Sequence, residues 1–124
     1  MKMTRYPFLL ALALLSAGSA QAAGDAVAGQ SAFRQCASCH QLGSSARGGF
    51  APQLNAVIGR TAGSTTDFSY SAAMKNARII WTEKNLAAFL RAPGDFIPGN
   101  KMRFYGISNE QQIADLLAYL RTQH

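Results

Sequence analysis

Five consecutive residues, Cys36-Ala37-Ser38-Cys39-His40, constrain this chain more than any other stretch. C-x-x-C-H is the attachment pattern of a c-type haem. Its spacing follows from its chemistry. Two thiols three positions apart sit on one backbone curl, where each can add across one vinyl group and form a thioether. The histidine that follows is then held beneath the iron, where a neutral imidazole nitrogen can ligate it. Other uses of the pair fit less well. A thioredoxin-like dithiol needs a βαβ setting, and no such pattern surrounds the motif. A closed zinc site needs four ligands; the chain holds two Cys and two His, and His124 is its terminal residue. A disulfide between positions i and i+3 has poor geometry.

The first 22 residues read as a secretory signal peptide. Lys2 and Arg5 supply a positive start, residues 8–15 are apolar, and Ala20-Gln21-Ala22 is a small-x-small cleavage pattern. The apolar run is shorter than the roughly 20 residues that a spanning helix requires, so no stable membrane insertion is expected. Cleavage after Ala22 would leave residues 23–124 as one small domain, marginal for building a core unaided. A large apolar cofactor would supply the missing buried surface. Export agrees with haem attachment, because thioether formation keeps the two cysteines from pairing in an oxidising compartment. Lys2 and Arg5 account for two of the +6 formal charges, leaving +4 on the domain. That mild excess suits an acidic partner patch or solubility. Nucleic acid is not expected as a partner, since the chain lacks a basic run, a stacking motif and a strand pattern.

Hydrophobic spacing predicts a helical protein. A first helix over 25–37 places Ala26, Gly29, Phe33 and Cys36 on one face, with Asp25 in its first turn. Gly29 weakens that helix and so implies close approach of another. Residues 41–69 are rich in Gly, Ser and Thr and read as a long loop; wrapping a cofactor is a good reason for one. A short helix is expected over 71–77. Thr82 is the expected N-cap of a helix through Arg91, stopped by Pro93. Residues 96–106 return to loop, with Pro98-Gly99 as a turn signal. The final helix shows an S-x-x-Q capping box at Ser108 and Gln111. Its Ile113, Leu116, Leu117 and Leu120 keep helical period, and it is expected to pack across Gly29 and Phe33.

The sixth position of a haem iron separates the possible functions. An open position allows gas binding or catalysis, and a second strong protein ligand gives electron transfer. Met74, Met102, His124 and Lys101 are the candidates. Met102 is preferred, because it lies in a loop after Pro98-Gly99-Asn100-Lys101 that can carry a thioether across to the iron.

Beyond the attachment motif, the whole domain resembles the class I cytochrome c family, close to the mitochondrial type and its bacterial relatives. Gly24-Asp25 opens the first helix as in that family, and Phe33 precedes Cys36 by three. Ala51-Pro52-Gln53-Leu54 resembles G-P-N-L, Gly59-Arg60-Thr61-Ala62-Gly63 resembles G-R-x-x-G, and Phe68-Ser69-Tyr70-Ser71 resembles F-x-Y-[ST]. Ile79-Ile80-Trp81, Ile97-Pro98-Gly99-Asn100-Lys101-Met102 and Leu116-Leu117-Ala118-Tyr119-Leu120 match in the same order without gaps. The resemblance implies a small all-α fold in which N- and C-terminal helices cross and long loops wrap one haem c. It implies covalent attachment through Cys36 and Cys39 and axial ligation by His40 and Met102. It also implies a Pro52 carbonyl that accepts the other His40 nitrogen's proton, and propionates held by Arg60, Tyr70 and Trp81.

Two departures concern the surroundings of Met102. Relatives often carry Tyr at the position of Phe89 and Asn at that of Met74; here both are apolar. Where relatives ring the haem edge with lysines, this chain has Gln35, Gly94, Asp95, Ser108 and Asn109, keeping Arg47, Lys101 and Arg103 as positive charges. The function so implied is that of a monomeric periplasmic electron carrier rather than an enzyme. Its partners would be redox proteins such as a quinol-oxidising cytochrome complex and a terminal oxidase or other reductase. The alternative is a haem peroxidase or gas-binding sensor with a labile sixth ligand.

Overall fold

Asp25 caps the first helix rather than entering it. Its carboxylate accepts hydrogen bonds from the Val27 and Ala28 amides, at 2.8 and 3.2 Å, and α1 (Ala26–Ala32) begins one residue later. The computed structural model describes residues 1–2 and 23–124, so the expected signal segment lies outside the described residues. The α-helix is also shorter than its periodicity predicts. Residues Phe33–Gln35 tighten into a 3-10 turn, as helix ends commonly do. The curl then continues through Cys36 and Cys39 to the His40 amide, which donates to the Cys36 carbonyl at 2.9 Å. The expected face survives this tightening: Gly29, Phe33 and Cys36 are all buried.

The most extensive helix packing is one crossing, α1 against α5 (Glu110–Arg121). A Cβ placed on Gly29 would lie 1.9 Å from the Asp115 carbonyl oxygen, and one on Gly24 would lie 2.0 Å from that of Ala114. Only glycine permits backbones to meet this closely. The Phe33 and Tyr119 rings pack with centroids 5.6 Å apart. The α5 cap differs from the expected Ser108–Gln111 box. Asn109 is the N-cap, its Oδ1 accepting from the Gln112 amide at 2.9 Å. Gln111 faces α1 instead, donating to Asp115 Oδ1 at 2.9 Å and to the Ala23 carbonyl. The glutamine that a capping box would have used is thus spent on Asp115, one turn on, and on the segment ahead of α1.

Between the crossing helices lie three shorter ones. In α2 (Ala72–Asn76), Ser71 is the cap, its Oγ accepting from the Met74 amide at 3.0 Å. In α3 (Glu83–Arg91), Thr82 is the cap as expected, and Leu86, Phe89 and Leu90 are buried. Pro93 does end α3, but it also starts α4 (Pro93–Phe96), a single turn for which no helix was expected. Proline's fixed φ suits the first helical position, where its missing N–H is not needed. Pro98 and Gly99 form the expected turn. The Asn100 amide donates to the Ile97 carbonyl at 3.2 Å, and Gly99 has φ +85°, the left-handed value of the third position in a type II turn.

Residues 41–69 stay irregular but are tied down. Residues 59–62 lie antiparallel to residues 79–81: the Gly59 amide donates to the Trp81 carbonyl, and the Trp81 amide to that of Arg60, both at 2.8 Å. This short pairing places Arg60 and Trp81 beside each other. Among the described residues no helix is long and apolar enough to cross a membrane.

Candidate functional site

The loops and helices enclose a mainly apolar cavity of about 830 Å³, within the roughly 300–1,000 Å³ of small-molecule and cofactor sites. The 3-10 turn and the curl after it bring Cys36, Cys39 and His40 to its wall, and the loop after α4 brings Met102. Cys36 is buried and Cys39 partly so, and the two are not bonded to each other. As a thiol, Cys36 is pushed up to about 11 by burial and by the neighbouring Cys39.

His40 has a defined orientation. Its Nδ1 lies 2.7 Å from the Pro52 carbonyl oxygen. A carbonyl can only accept, so Nδ1 carries the proton and Nε2 keeps its lone pair. Burial holds the imidazole pKa below its ordinary value; the bond to Pro52 opposes this, and the Arg60 charge reinforces it. The neutral ring, the form able to ligate a metal, is therefore favoured.

The four candidates for a second ligand differ in their surroundings. Met74, Lys101 and Met102 line the cavity, whereas His124 is not part of its lining. The Lys101 amine donates to the Ser69 carbonyl at 2.6 Å and stands 6.0 Å from the Phe68 ring centroid. The Met102 amide donates to Asn100 Oδ1 at 2.8 Å. Leu86, Phe89, Leu90, Leu116 and Leu120 supply much of the apolar wall. The Phe89 ring packs on buried Trp81, centroids 5.1 Å apart.

Arg60, Tyr70 and Trp81 all reach the cavity wall. Arg60 is already engaged, donating to the Gln53 carbonyl at 2.8 Å and to that of Asn55 at 3.2 Å. Burial lowers its pKa, while the facing Tyr70 and Asp67 oppose the shift. The Tyr70 hydroxyl pairs with Thr65 Oγ1. Four participants were missed by sequence reasoning: Asn100, the Gln53 and Asn55 carbonyls, and Phe50. Phe50 lines the cavity yet is 86 % exposed. Only Asn100 carries a readable signal, since Asn after Pro-Gly favours an Asx-turn to the amide two residues on. The others arise from chain folding over long loops.

The residues present fit the haem that C-x-x-C-H implies. Two thiols, an imidazole with a free Nε2 and a thioether line one apolar cavity, with a guanidinium, a phenol and an indole also on its wall. Thiol, imidazole and thioether are the protein groups that c-type haem employs.

The chain is similar to known proteins over most of its length. The family profile described as Cytochrome c matches residues 26–124. Cytochrome c2 of Rhodomicrobium vannielii is 46% identical over 116 residues, covering 94% of this chain and 93% of that protein. Cytochrome c of Guizotia abyssinica is 43% identical over 100 residues, covering 80% of this chain and 90% of that one. The solved structure of cytochrome cH from Methylobacterium extorquens aligns with a TM-score of 0.76 at 37% identity, covering 81% of this chain and 100% of that one.

Proposed function

This chain belongs to the cytochrome c family, and from that premise we propose that it is a periplasmic one-electron carrier with His40 and Met102 as axial ligands. The family's cofactor is covalent haem c, and Cys36 and Cys39 are the only cysteines available to hold it. When bound, the haem supplies the Fe(II)/Fe(III) couple.

The protein's contribution is to bind, orient and seclude. Cys36 and Cys39 would anchor the group through thioethers. His40 would ligate through Nε2, its ring held in plane by the Pro52 carbonyl; such a partner fixes the tautomer and raises ligand basicity. Met102 would supply a thioether, a neutral ligand that favours the reduced iron. Arg60, Tyr70 and Trp81 would stabilise the propionates, which need donors in a small domain. The apolar wall built by Phe89, Leu90 and Leu116 excludes water and holds the local dielectric low. The observation that carries the reading is that both thiols, the oriented imidazole and the Met102 thioether line a single cavity. Export, cleavage after Ala22 and a periplasmic location follow from the signal pattern of residues 1–22. The partners proposed are a quinol-oxidising cytochrome complex as donor and a terminal oxidase or other reductase as acceptor.

The test is the absorption spectrum of the purified oxidised protein. The weak sulfur-to-iron charge-transfer band is expected in the parent and in Met74→Ala. It should vanish in Met102→Ala, with a lower reduction potential by voltammetry and access for peroxide. A band that survives Met102→Ala rules Met102 out as ligand. Rapid carbon monoxide binding by the reduced parent would favour the peroxidase or sensor alternative.

A further inference from the structure

The side chain of Asn100 makes three hydrogen bonds around the segment that carries Met102. Its Oδ1 accepts from the Met102 amide at 2.8 Å. Its Nδ2 donates to the Pro93 carbonyl at 2.9 Å and to the Ile97 carbonyl at 2.8 Å. The group is partly buried. One end thus grips the backbone of Met102, and the other grips the start of α4 and of the Pro98-Gly99 turn. These partners also fix the orientation of the amide, since two carbonyls demand donors and one N–H demands an acceptor.

We propose that Asn100 is a positioning residue that clamps the 97–102 loop and so holds the Met102 thioether against the cavity. This inference rests on the reading of Met102 as a ligand. The chemistry is specific to an amide. A hydroxyl has one proton and could serve only one of the two carbonyls. A carboxylate could accept from Met102 but would face two carbonyl oxygens with no proton to give. The turn itself does not supply this grip, because its Asn100-to-Ile97 bond ends two residues before Met102. Opening of the loop, which any exogenous ligand competing with Met102 requires, therefore breaks all three side-chain bonds together.

The test uses the oxidised, haem-loaded protein and its Asn100→Ala and Asn100→Thr variants. Two rates are measured: binding of imidazole at saturating concentration, where loop opening limits the rate, and amide hydrogen exchange at Met102 compared with Leu116 in α5. In Asn100→Ala both imidazole binding and Met102 exchange are expected to accelerate, on the order of tenfold or more for the bonds lost, with Leu116 exchange unchanged. Asn100→Thr should fall between parent and Asn100→Ala, and it carries the test if Asn100→Ala fails to fold. Unchanged rates at Met102 overturn the proposal. So does an equal acceleration at Met102 and Leu116, which marks a loss of global stability alone. The parent's sulfur-to-iron band reports the underlying ligand reading separately. If it is missing while Met102 exchange still responds to Asn100→Ala, the loop clamp stands and Met102 is not the ligand it serves.

Discussion

At the scale of single residues, Phe89 and Met74 present apolar side chains to the cavity that Met102 also lines. Phe89 is buried, packed at a tilt against Trp81 and 6.5 Å by ring centroid from Phe96. Met74 stands on the same cavity wall. Hydrogen bonds to axial ligands tune a metal's potential, so Phe89→Tyr should shift the reduction potential measurably by voltammetry. The new hydroxyl needs a partner inside this wall and costs about 1–3 kcal/mol of stability if it finds none, read as a lower denaturant midpoint. An unchanged potential with an unchanged spectrum would show that Phe89 does not lie beside the ligand. His40 is the opposite case, a residue whose ring is held by a polar partner. Its orientation depends on Pro52 being presented at 2.7 Å, which is a property of the loop after the attachment motif.

Among the elements, the crossing of α1 and α5 concentrates the constraints. Gly29→Ala would put a methyl group on the Asp115 backbone, where no flexible side chain can yield. The helices must separate, and a loss of about 1–3 kcal/mol or more is expected in urea unfolding. The same junction carries a pH dependence. Asp115 accepts from the Asp25 amide at 2.8 Å and from Gln111, and these bonds, in that order, hold its carboxyl below the usual carboxylate range. Folding therefore favours the ionised form. Its contribution is present above the unfolded value of about 3.9 and disappears as pH falls through the lower folded value. Asp115→Asn should lower the urea midpoint at about pH 7 more than at about pH 3. Equal losses at both would assign the effect to packing.

The molecule as a whole is built around its cavity. A domain of this size buries a smaller share of its surface than larger ones do. Much of its apolar wall, from Phe33 and Cys36 to Leu116 and Leu120, faces the cavity. Without an apolar group to fill it, those side chains would face water and lose the burial that drives folding. Cys36→Ser with Cys39→Ser, expressed so that no haem is attached, should lose most of its far-ultraviolet helical signal and unfold without a cooperative transition. Retention of the parent's signal and melting midpoint would mean that the helices alone sustain the fold.

What could be read without coordinates was what lies close together along the chain. C-x-x-C-H is one curl of backbone, the Thr82 cap and Pro98-Gly99 turn are three- or four-residue devices, and the α1 and α5 faces repeat within each helix. Gly29 was legible for the same reason: a helix breaker inside a buried face already signals a close neighbour. Contacts between distant segments decided the rest. Asn109 rather than Ser108 caps α5, and Gln111 reaches across to the Ala23 carbonyl instead of back to the cap. Pro93 starts a new turn as well as ending α3. The Arg60 guanidinium meets the Gln53 and Asn55 carbonyls only after residues 41–69 have folded back. Asn100 became a clamp once α4 presented the Pro93 carbonyl to it. Local spacing specifies which groups share a turn of chain, and only chain closure selects which polar partners survive competition for the same donors and acceptors.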